Sequence, residues 1–329
     1  MKFTTQVDSP LSRFDFSYGN RIFTMGSCFA STIGDKLKYS AFNVTNNPFG
    51  TIYHPLAICK LLHAPAGVEE SLPVREHYVQ KEGRWMSLDL HSSVYANSEE
   101  LLSEKIRKLM GDAANAIWQS NVLILTFGTA LVYRLVKTQQ TVANCQKLPA
   151  SEFRRELSRV DEISIAVENC IEELRKNNPT LKVMLTVSPV RHLSGGLDEN
   201  NLSKSMLRIA CESIQNTLRE VYYFPAFEIM MDELRDYRFY KDDLIHPTSF
   251  AEQFIWEKFQ RSYFSVETIK RLQEVEKIRA ALAHKPFHPN SAAHKTFLLD
   301  LLQKMKMMEG SVDLVDEIYD LKVKLENWV

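Results

Sequence analysis

The stretch RIFTMGSCFA, residues 21–30, joins a short apolar run to small and nucleophilic side chains. Residues Arg21–Met25 are mostly apolar, which is typical of a buried β-strand. Gly26 tolerates backbone conformations that other residues avoid, so it favours a turn at the end of that strand. A helical pattern follows over Ser31–Tyr39. The stretch therefore predicts a strand, a tight turn that carries two potential nucleophiles, and a helix.

Four more runs of this kind predict the rest of a parallel sheet. They cover Phe42–Thr45, Asn121–Thr126, Lys182–Val187 and Val221–Phe224, and helical patterns over Glu99–Gln119, Ser151–Asn177 and Asn200–Glu220 separate most of them. Alternation of strands and helices is typical of α/β proteins whose sheet is covered on both faces. We therefore expect a three-layer α/β/α sandwich around a five-stranded parallel sheet.

Two segments interrupt this alternation, and a third follows it. Residues 76–90 and 129–145 alternate like β-hairpins inserted at the strand ends. Ser249 and Glu252 form a capping-box pattern that begins a helix, and helical patterns continue over Val266–Ala283, Ala292–Met308 and Val312–Trp328. We expect residues 1–264 to form one domain with hairpin insertions. Residues 265–329 are expected to be a helical C-terminal extension, packed on that domain or used for association.

Charge and cysteine usage narrow the function classes. With 40 Lys and Arg against 41 Asp and Glu, the net charge is −1, which gives no electrostatic footprint for nucleic acid. No apolar run approaches the ~20 residues of a membrane helix, and residues 1–14 lack a secretory pattern. Five scattered cysteines without a C-x-x-C motif indicate neither a disulfide framework nor a metal site. We expect a cytoplasmic protein without metal or redox cofactor, in an oligomeric state that the sequence leaves open.

The predicted strand ends converge on one candidate site, because ligands bind at the carboxyl ends of parallel strands. These ends carry Ser27 and Cys28, then Gly50, then Thr129, then Arg191 and His192, and finally Asp243 and His246. A Ser or Cys nucleophile needs a base, and the base needs an orienting carboxylate. Asp243 and His246 stand three residues apart, so one turn can direct both side chains to one pocket. Backbone N–H groups at a strand-to-helix turn can bind a developing oxyanion.

Four motifs carry a resemblance to a known family: GSCFA at 26–30, NPFGTIYHP at 47–55, SPVRH at 188–192 and DDLIHP at 242–247. Over residues 20–262 the chain resembles the GSCFA family, which is related to the SGNH/GDSL hydrolases. The resemblance implies a flavodoxin-like sheet and either ester hydrolysis or acyl transfer. Alignment on Gly26 puts Cys28 at the nucleophile position of the superfamily, with Ser27 as the alternative. His246 is then implied as the general base and Asp243 as its orienting carboxylate.

The resemblance also implies an oxyanion hole, but one of its donors is missing. The backbone N–H groups of Cys28 and Gly50 match two donors. The Gly-x-Asn block maps to residues 128–130 and lacks its Asn, so Thr129, Asn46, Asn47 or Asn144 remain as substitutes. A Cys nucleophile would form a thioester, which passes its acyl group to an amine or hydroxyl more readily than an ester does. This favours acyl transfer slightly over hydrolysis.

Two interpretations stay open at the level of sequence. Arg191 and His192 either bind a carboxylate or phosphate of a small acyl or ester substrate, or they are ordinary surface residues. The missing Asn also suits a catalytically degenerate protein that binds a glycan or acyl group without turning it over. The sequence specifies neither the acyl chain nor its acceptor.

Overall fold

The protein is described by a computed structural model over residues 4–8, 14–63 and 74–328. The strands in these residues are β1 (Arg21–Gly26), β2 (Asn43–Asn46), β3 (Tyr78–Lys81), β4 (Arg84–Ser87), β5 (Tyr95–Ala96), β6 (Val122–Phe127), β7 (Leu131–Leu135), β8 (Thr141–Val142), β9 (Phe153–Leu157), β10 (Lys182–Val187) and β11 (Val221–Phe224). The α-helices are α1 (Cys28–Tyr39), α2 (Pro55–His63), α3 (Glu99–Trp118), α4 (Val160–Asn177), α5 (Gly196–Thr217), α6 (Ala226–Glu228), α7 (Ser249–Tyr263), α8 (Val266–Ala283), α9 (Ala292–Met308) and α10 (Val315–Glu326).

Five strands form a parallel sheet in the order β11-β10-β6-β1-β2. Numbered along the chain among themselves, these strands follow the flavodoxin-like order 2-1-3-4-5. The order reverses between β1 and β6, and a crevice opens at the carboxyl ends of strands at such a switch point. The predicted fold class and its five-stranded parallel sheet are confirmed. The predicted strand boundaries differ from the observed ones by at most one residue at either end.

The sheet separates two hydrophobic cores because alternate residues of each strand face opposite sides. On β6, Leu123, Leu125 and Phe127 pack with helices α2, α3, α4 and α5. Val122 and Ile124 pack with helices α1 and α7 on the other face. All six β6 residues are buried, which explains why this strand is continuously apolar instead of alternating.

The inserted segments are three-stranded, which corrects part of the sequence prediction. Strands β3 and β4 pair around Glu82 and Gly83 as predicted, and β5 adds to β4. In the second segment β7 pairs with both β8 and β9. Strand β9 lies in the range predicted as helix from Ser151, and helix α4 begins only at Val160. The helical propensity of the sequence FRREL is overridden because its backbone pairs with β7 and Phe153 is buried.

The C-terminal helices pack around a third core and against the end of α1. Val275, Leu298 and Met305 are buried in this core together with Ala41 of the sheet domain. The N–H of Asp313 donates to the Ala41 carbonyl at 2.8 Å. Helix α10 begins at Val315 rather than at the predicted Val312, and α7 is capped by the Thr248 side chain rather than by Ser249. No helix in the described residues is long and apolar enough to cross a membrane.

Gly26 closes the turn between β1 and α1 in a way that excludes other residues. Its φ is +140°, in the region that favours glycine. A Cβ at this position would overlap the Thr126 carbonyl oxygen on the adjacent strand. That same oxygen accepts the Ser27 N–H at 3.0 Å, so neither backbone can move away without losing a bond.

We expect Gly26→Ala to lower the free energy of unfolding by about 3 kcal/mol or more, because it combines backbone strain with a steric clash. The measurement is urea unfolding followed by circular dichroism. Gly111→Ala in helix α3 is the matched control, since a Cβ there meets no atom within 4 Å and should stabilise by up to about 1 kcal/mol. Equal unfolding midpoints for Gly26→Ala and the unmodified chain would contradict this account of the turn.

Candidate functional site

Of the two potential nucleophiles in the first turn, only the sulfur is accessible. Cys28 is the first residue of α1 and is partly exposed, and the N–H groups of this first turn have no preceding helical carbonyl. Ser27 is 1% exposed, and its hydroxyl has no hydrogen-bond partner and does not cap the helix. The geometry therefore presents Cys28 to a substrate and keeps Ser27 inside the turn.

Asp243 and His246 form a bonded pair in the loop between β11 and α7. Asp243 Oδ2 lies 2.7 Å from His246 Nδ1, and its Oδ1 accepts the N–H groups of Ile245 and His246, each at 2.9 Å. The His246 and Ile245 N–H groups and the imidazole lower the pKa of Asp243 from its ordinary 3.8 to about 2. An ionised Asp243 selects the tautomer with the proton on Nδ1, which leaves the Nε2 lone pair available to accept a proton.

Arg191 holds this loop in place. Its N–H donates to the Ile245 carbonyl at 3.2 Å, and its Nη1 donates to the Leu244 carbonyl at 3.0 Å. The guanidinium lies 3.9 Å from the centre of the Tyr240 ring. The sequence left open whether Arg191 binds a substrate or is an ordinary surface residue, and in the structure these contacts engage it with the protein itself.

Tyr53, which no sequence pattern singled out, connects Cys28 to the other strand ends. Its hydroxyl lies 3.7 Å from Cys28 Sγ, and its carbonyl accepts the N–H groups of Gly128 at 2.8 Å and Thr129 at 3.3 Å. The His192 ring lies 6.0 Å from the Tyr53 ring, centre to centre. Cys28, Tyr53 and His192 thus share one rim. His192 is adjacent to Arg191, which binds the Asp243–His246 loop.

Cys28 and His246 lie at the same edge of the sheet but are not hydrogen-bonded to each other. Cys28 follows the carboxyl end of β1, and the loop that carries His246 is bonded to Arg191, which follows the carboxyl end of β10. Cys28 Sγ contacts Tyr53, and His246 Nδ1 contacts Asp243. A substrate or a proton relay between Sγ and Nε2 would have to join the two groups.

Two of the predicted oxyanion donors already have acceptors within the protein. The Gly50 N–H donates to the Asn47 carbonyl at 2.9 Å. The Thr129 N–H donates to Tyr53, and the Thr129 hydroxyl lies 3.1 Å from Ser203 Oγ and accepts the Leu131 N–H at 3.1 Å. The prediction that Gly50 and Thr129 present free donors is not supported by these contacts, because loop closure uses the same hydrogens.

Of the other predicted substrate ligands, Asn47 and Asn144 bond to protein groups, whereas His192 lies on the rim of the site. Asn47 is buried, accepts the Gly26 N–H at 3.1 Å, and donates to Ser31 Oγ at 3.0 Å, so it braces the first turn. Asn144 accepts the Gln146 N–H at 2.8 Å within the second insertion. His192 stays on the rim, where burial lowers its pKa and the charge of Lys204 lowers it further. His192 is therefore neutral at pH 7 and can donate or accept a hydrogen bond.

A buried lysine beneath the site is the main feature that sequence reasoning missed. Lys204 is 1% exposed, and its Nζ donates to the carbonyls of Gly128 at 2.7 Å, Ser188 at 2.8 Å and Val190 at 2.9 Å. It therefore ties together the loops that follow β6 and β10. Burial lowers the pKa of Lys204 to about 7. The sequence did contain a sign that Lys204 is buried, because Lys204 precedes Leu207 and Cys211 at helical spacing on the buried face of α5.

The described residues contain no group of three or more His, Cys, Asp and Glu side chains arranged to hold a metal ion. The groups gathered at this edge include a thiol, a phenol, two imidazoles and the Asp243 carboxylate.

The fold and the site define an α/β protein of the flavodoxin-like type with a thiol at its topological switch point. The chain belongs to the GSCFA family, whose model matches residues 21–259. A second model, for the C-terminal domain of GSCFA domain proteins, matches residues 275–327. The two matches fall on either side of the predicted domain boundary after residue 264.

Comparison with solved structures finds only remote likeness. A family 3 carbohydrate esterase from Clostridium thermocellum has 10% identity and a TM-score of 0.33, over 78% of this chain and 98% of that one. A family 3 carbohydrate esterase from Talaromyces cellulolyticus has 10% identity and a TM-score of 0.35, over 78% and 99%. An acetyl xylan esterase from Butyrivibrio proteoclasticus has 12% identity and a TM-score of 0.36, over 80% and 65%. A search of curated proteins finds no significant match. Likeness this remote assigns neither an activity nor a nucleophile.

The buried ammonium of Lys204 predicts a pH-dependent stability. The unfolded chain keeps the Lys204 proton up to its ordinary pKa of 10.5, whereas the folded chain releases it near 7. Folding is therefore favoured as the pH rises between these values. We expect the free energy of unfolding of the unmodified chain, relative to that of Lys204→Met, to rise by about 2 kcal/mol from pH 7 to pH 9. The measurement is urea unfolding at both pH values.

Lys108→Met, at an exposed position of α3, is the control with the same change of charge. Its difference from the unmodified chain should be the same at both pH values. An unchanged difference for Lys204→Met would mean that the three carbonyls keep the lysine charged throughout this range.

Proposed function

We propose that this protein hydrolyses an ester or transfers an acyl group through a thioester on Cys28, with His246 as general base and acid and Asp243 as its orienting carboxylate. The observation that carries the proposal is the Asp243–His246 pair. One carboxylate oxygen bonds Nδ1 at 2.7 Å, and the other is held by two backbone N–H groups. Within the described residues Nε2 has no hydrogen-bond partner, and it belongs to a side chain that is 40% exposed, at the edge of the sheet that carries the thiol.

The first half of the reaction forms the thioester. His246 Nε2 accepts the thiol proton, and Cys28 Sγ attacks the carbonyl carbon of the substrate to give a tetrahedral intermediate. The negative charge develops on the former carbonyl oxygen, and the N–H groups at the start of α1 face it. The intermediate collapses, the carbon–oxygen bond to the leaving alcohol breaks, and His246 returns the proton to that alcohol.

The second half releases the acyl group. Water, an alcohol or an amine loses a proton to His246 and attacks the thioester, and the carbon–sulfur bond breaks. Cys28 leaves as a thiolate and regains its proton from His246. Hydrolysis and transfer therefore share one intermediate and differ only in the acceptor. A free nucleophilic thiol also requires reducing conditions, so we propose that the protein works in the cytoplasm on a small acyl or ester substrate.

A second candidate is a protein that binds an acyl group or glycan without turning it over. Two observations favour it: the internal bonds of the Gly50 and Thr129 N–H groups, and the lack of a hydrogen bond between Cys28 and His246. The two functions differ in whether the sulfur becomes acylated.

We expect an intact-mass experiment with p-nitrophenyl acetate to trap one acetyl group on Cys28, identified by peptide mapping. Cys28→Ala should abolish the adduct. His246→Ala should slow its formation by about 10²–10⁴-fold, because the thiol loses its base. Cys145→Ser is the matched control, since Cys145 is also partly exposed but burial raises its pKa. No adduct on Cys28, or one that forms equally fast without His246, would reject this mechanism.

Alkylation of Cys28 distinguishes the proposed enzyme from the proposed binding protein. Iodoacetamide should react with Cys28 below neutral pH faster than with free cysteine, and His246→Ala should remove that advantage, because a neighbouring imidazolium favours the thiolate. Ser27→Ala should keep it, since the Ser27 hydroxyl is buried. Reactivity no greater than that of free cysteine would favour the binding protein.

A further inference from the structure

The hydroxyl of Tyr53 lies in hydrogen-bonding range of Cys28 Sγ, at 3.7 Å. Tyr53 lies between β2 and α2, and three contacts fix it. Its carbonyl accepts the N–H groups of Gly128 and Thr129, and its ring packs so closely on Gly128 that a Cβ there would come within 2.9 Å of Tyr53 Cδ1. The phenol is thus aimed at the sulfur by the loop that follows β6.

Four of the other candidates for the missing oxyanion donor are bonded elsewhere. The Gly50 N–H donates to the Asn47 carbonyl, and the Thr129 N–H donates to the Tyr53 carbonyl. The Asn46 amide donates to Asp35 at 2.8 Å and to the Ser31 carbonyl at 3.1 Å, and the Asn47 amide donates to Gly26 and Ser31. A hole built on the Cys28 N–H alone would lack the paired donors that usually stabilise an oxyanion.

We infer that the phenol of Tyr53 is the second oxyanion donor of this site, acting together with the Cys28 N–H. The inference rests on the proposed function, since it assigns a residue to that reaction. The oxyanion forms on an atom two bonds from Sγ, and useful donors lie about 2.7–3.1 Å from it. A hydroxyl at 3.7 Å from the sulfur is close enough to reach that atom and far enough to leave room for it.

The protonation state of Tyr53 suits this role. Burial raises its pKa, and the neighbouring Cys28 raises it further. The phenol therefore keeps its proton at neutral pH and acts as a donor. It can donate to the oxyanion as the negative charge develops, so that no bond to hydrogen is broken at Tyr53 in either half-reaction.

Two reactions of the same sulfur test this assignment in Tyr53→Phe. Acetylation by p-nitrophenyl acetate passes through an oxyanion, whereas alkylation by iodoacetamide is a direct displacement that forms none. We expect the acetylation rate to fall by about 10²–10³-fold, the loss measured when one oxyanion donor is removed. Alkylation should keep its rate and its dependence on His246, which also reports that the site is folded. Tyr39→Phe, which removes an exposed hydroxyl, should change neither rate.

Each other outcome has a distinct meaning. Equal losses in both reactions would show that Tyr53 only positions or activates the thiol, and would overturn the assignment. Unchanged acetylation would overturn it as well. If the unmodified chain is alkylated at Cys28 but never acetylated, the proposed function fails and the assignment fails with it. That result differs from a failure of the assignment alone, in which the unmodified chain is still acetylated.

Discussion

The arrangement of the site depends on the close approach of two neighbouring strands at Gly26. There the backbone of β1 meets the Thr126 carbonyl of β6 with no room for a side chain. The Ser27 N–H bonds the same oxygen, and the buried Asn47 accepts the Gly26 N–H from the other side. These contacts turn the chain abruptly from strand to helix, so that the next residue, Cys28, becomes the first residue of α1. The position of the sulfur is therefore set by backbone packing and not by its own interactions.

Most polar groups around the sulfur serve to hold loops. Lys204 joins the ends of β6 and β10 through three carbonyls, and Arg191 holds the Asp243–His246 loop through two more. Buried polar groups need such partners, since an unpaired one costs about 1–3 kcal/mol. Among the described residues, the groups not used in this way include the Cys28 thiol, the Tyr53 phenol, the His192 ring and His246 Nε2. Rigid support for a few uncommitted groups is the arrangement that preorganised catalysis requires.

The C-terminal helices pack at the end of α1 that lies away from Cys28. They contact the sheet domain at the carboxyl end of α1, where the Asp313 N–H meets Ala41 and Arg279 donates to the Tyr39 carbonyl at 3.1 Å. Cys28 begins that helix and Tyr39 ends it, so these contacts lie roughly 18 Å along the helix axis from the Cys28 thiol. Through these contacts, the extension supports the far end of the helix that carries the sulfur.

The sequence by itself determined the class of the fold and the positions of the five strands of the parallel sheet along the chain. Continuous apolar runs such as VLILTF identify strands buried on both faces, and Gly26 and the Asp243–His246 spacing mark the turns that carry chemistry. The sequence pattern predicted β9 as helix, and this was wrong. Phe153–Leu157 pairs with β7, a strand distant along the chain, and this pairing outweighs local propensity. Only the tertiary structure decided which polar groups are free. The Gly50 bond to Asn47 closes a local turn. The bonds that engage Thr129 and Arg191, and the approach of Tyr53 to Cys28, join residues from separate loops, and no local pattern encodes such contacts.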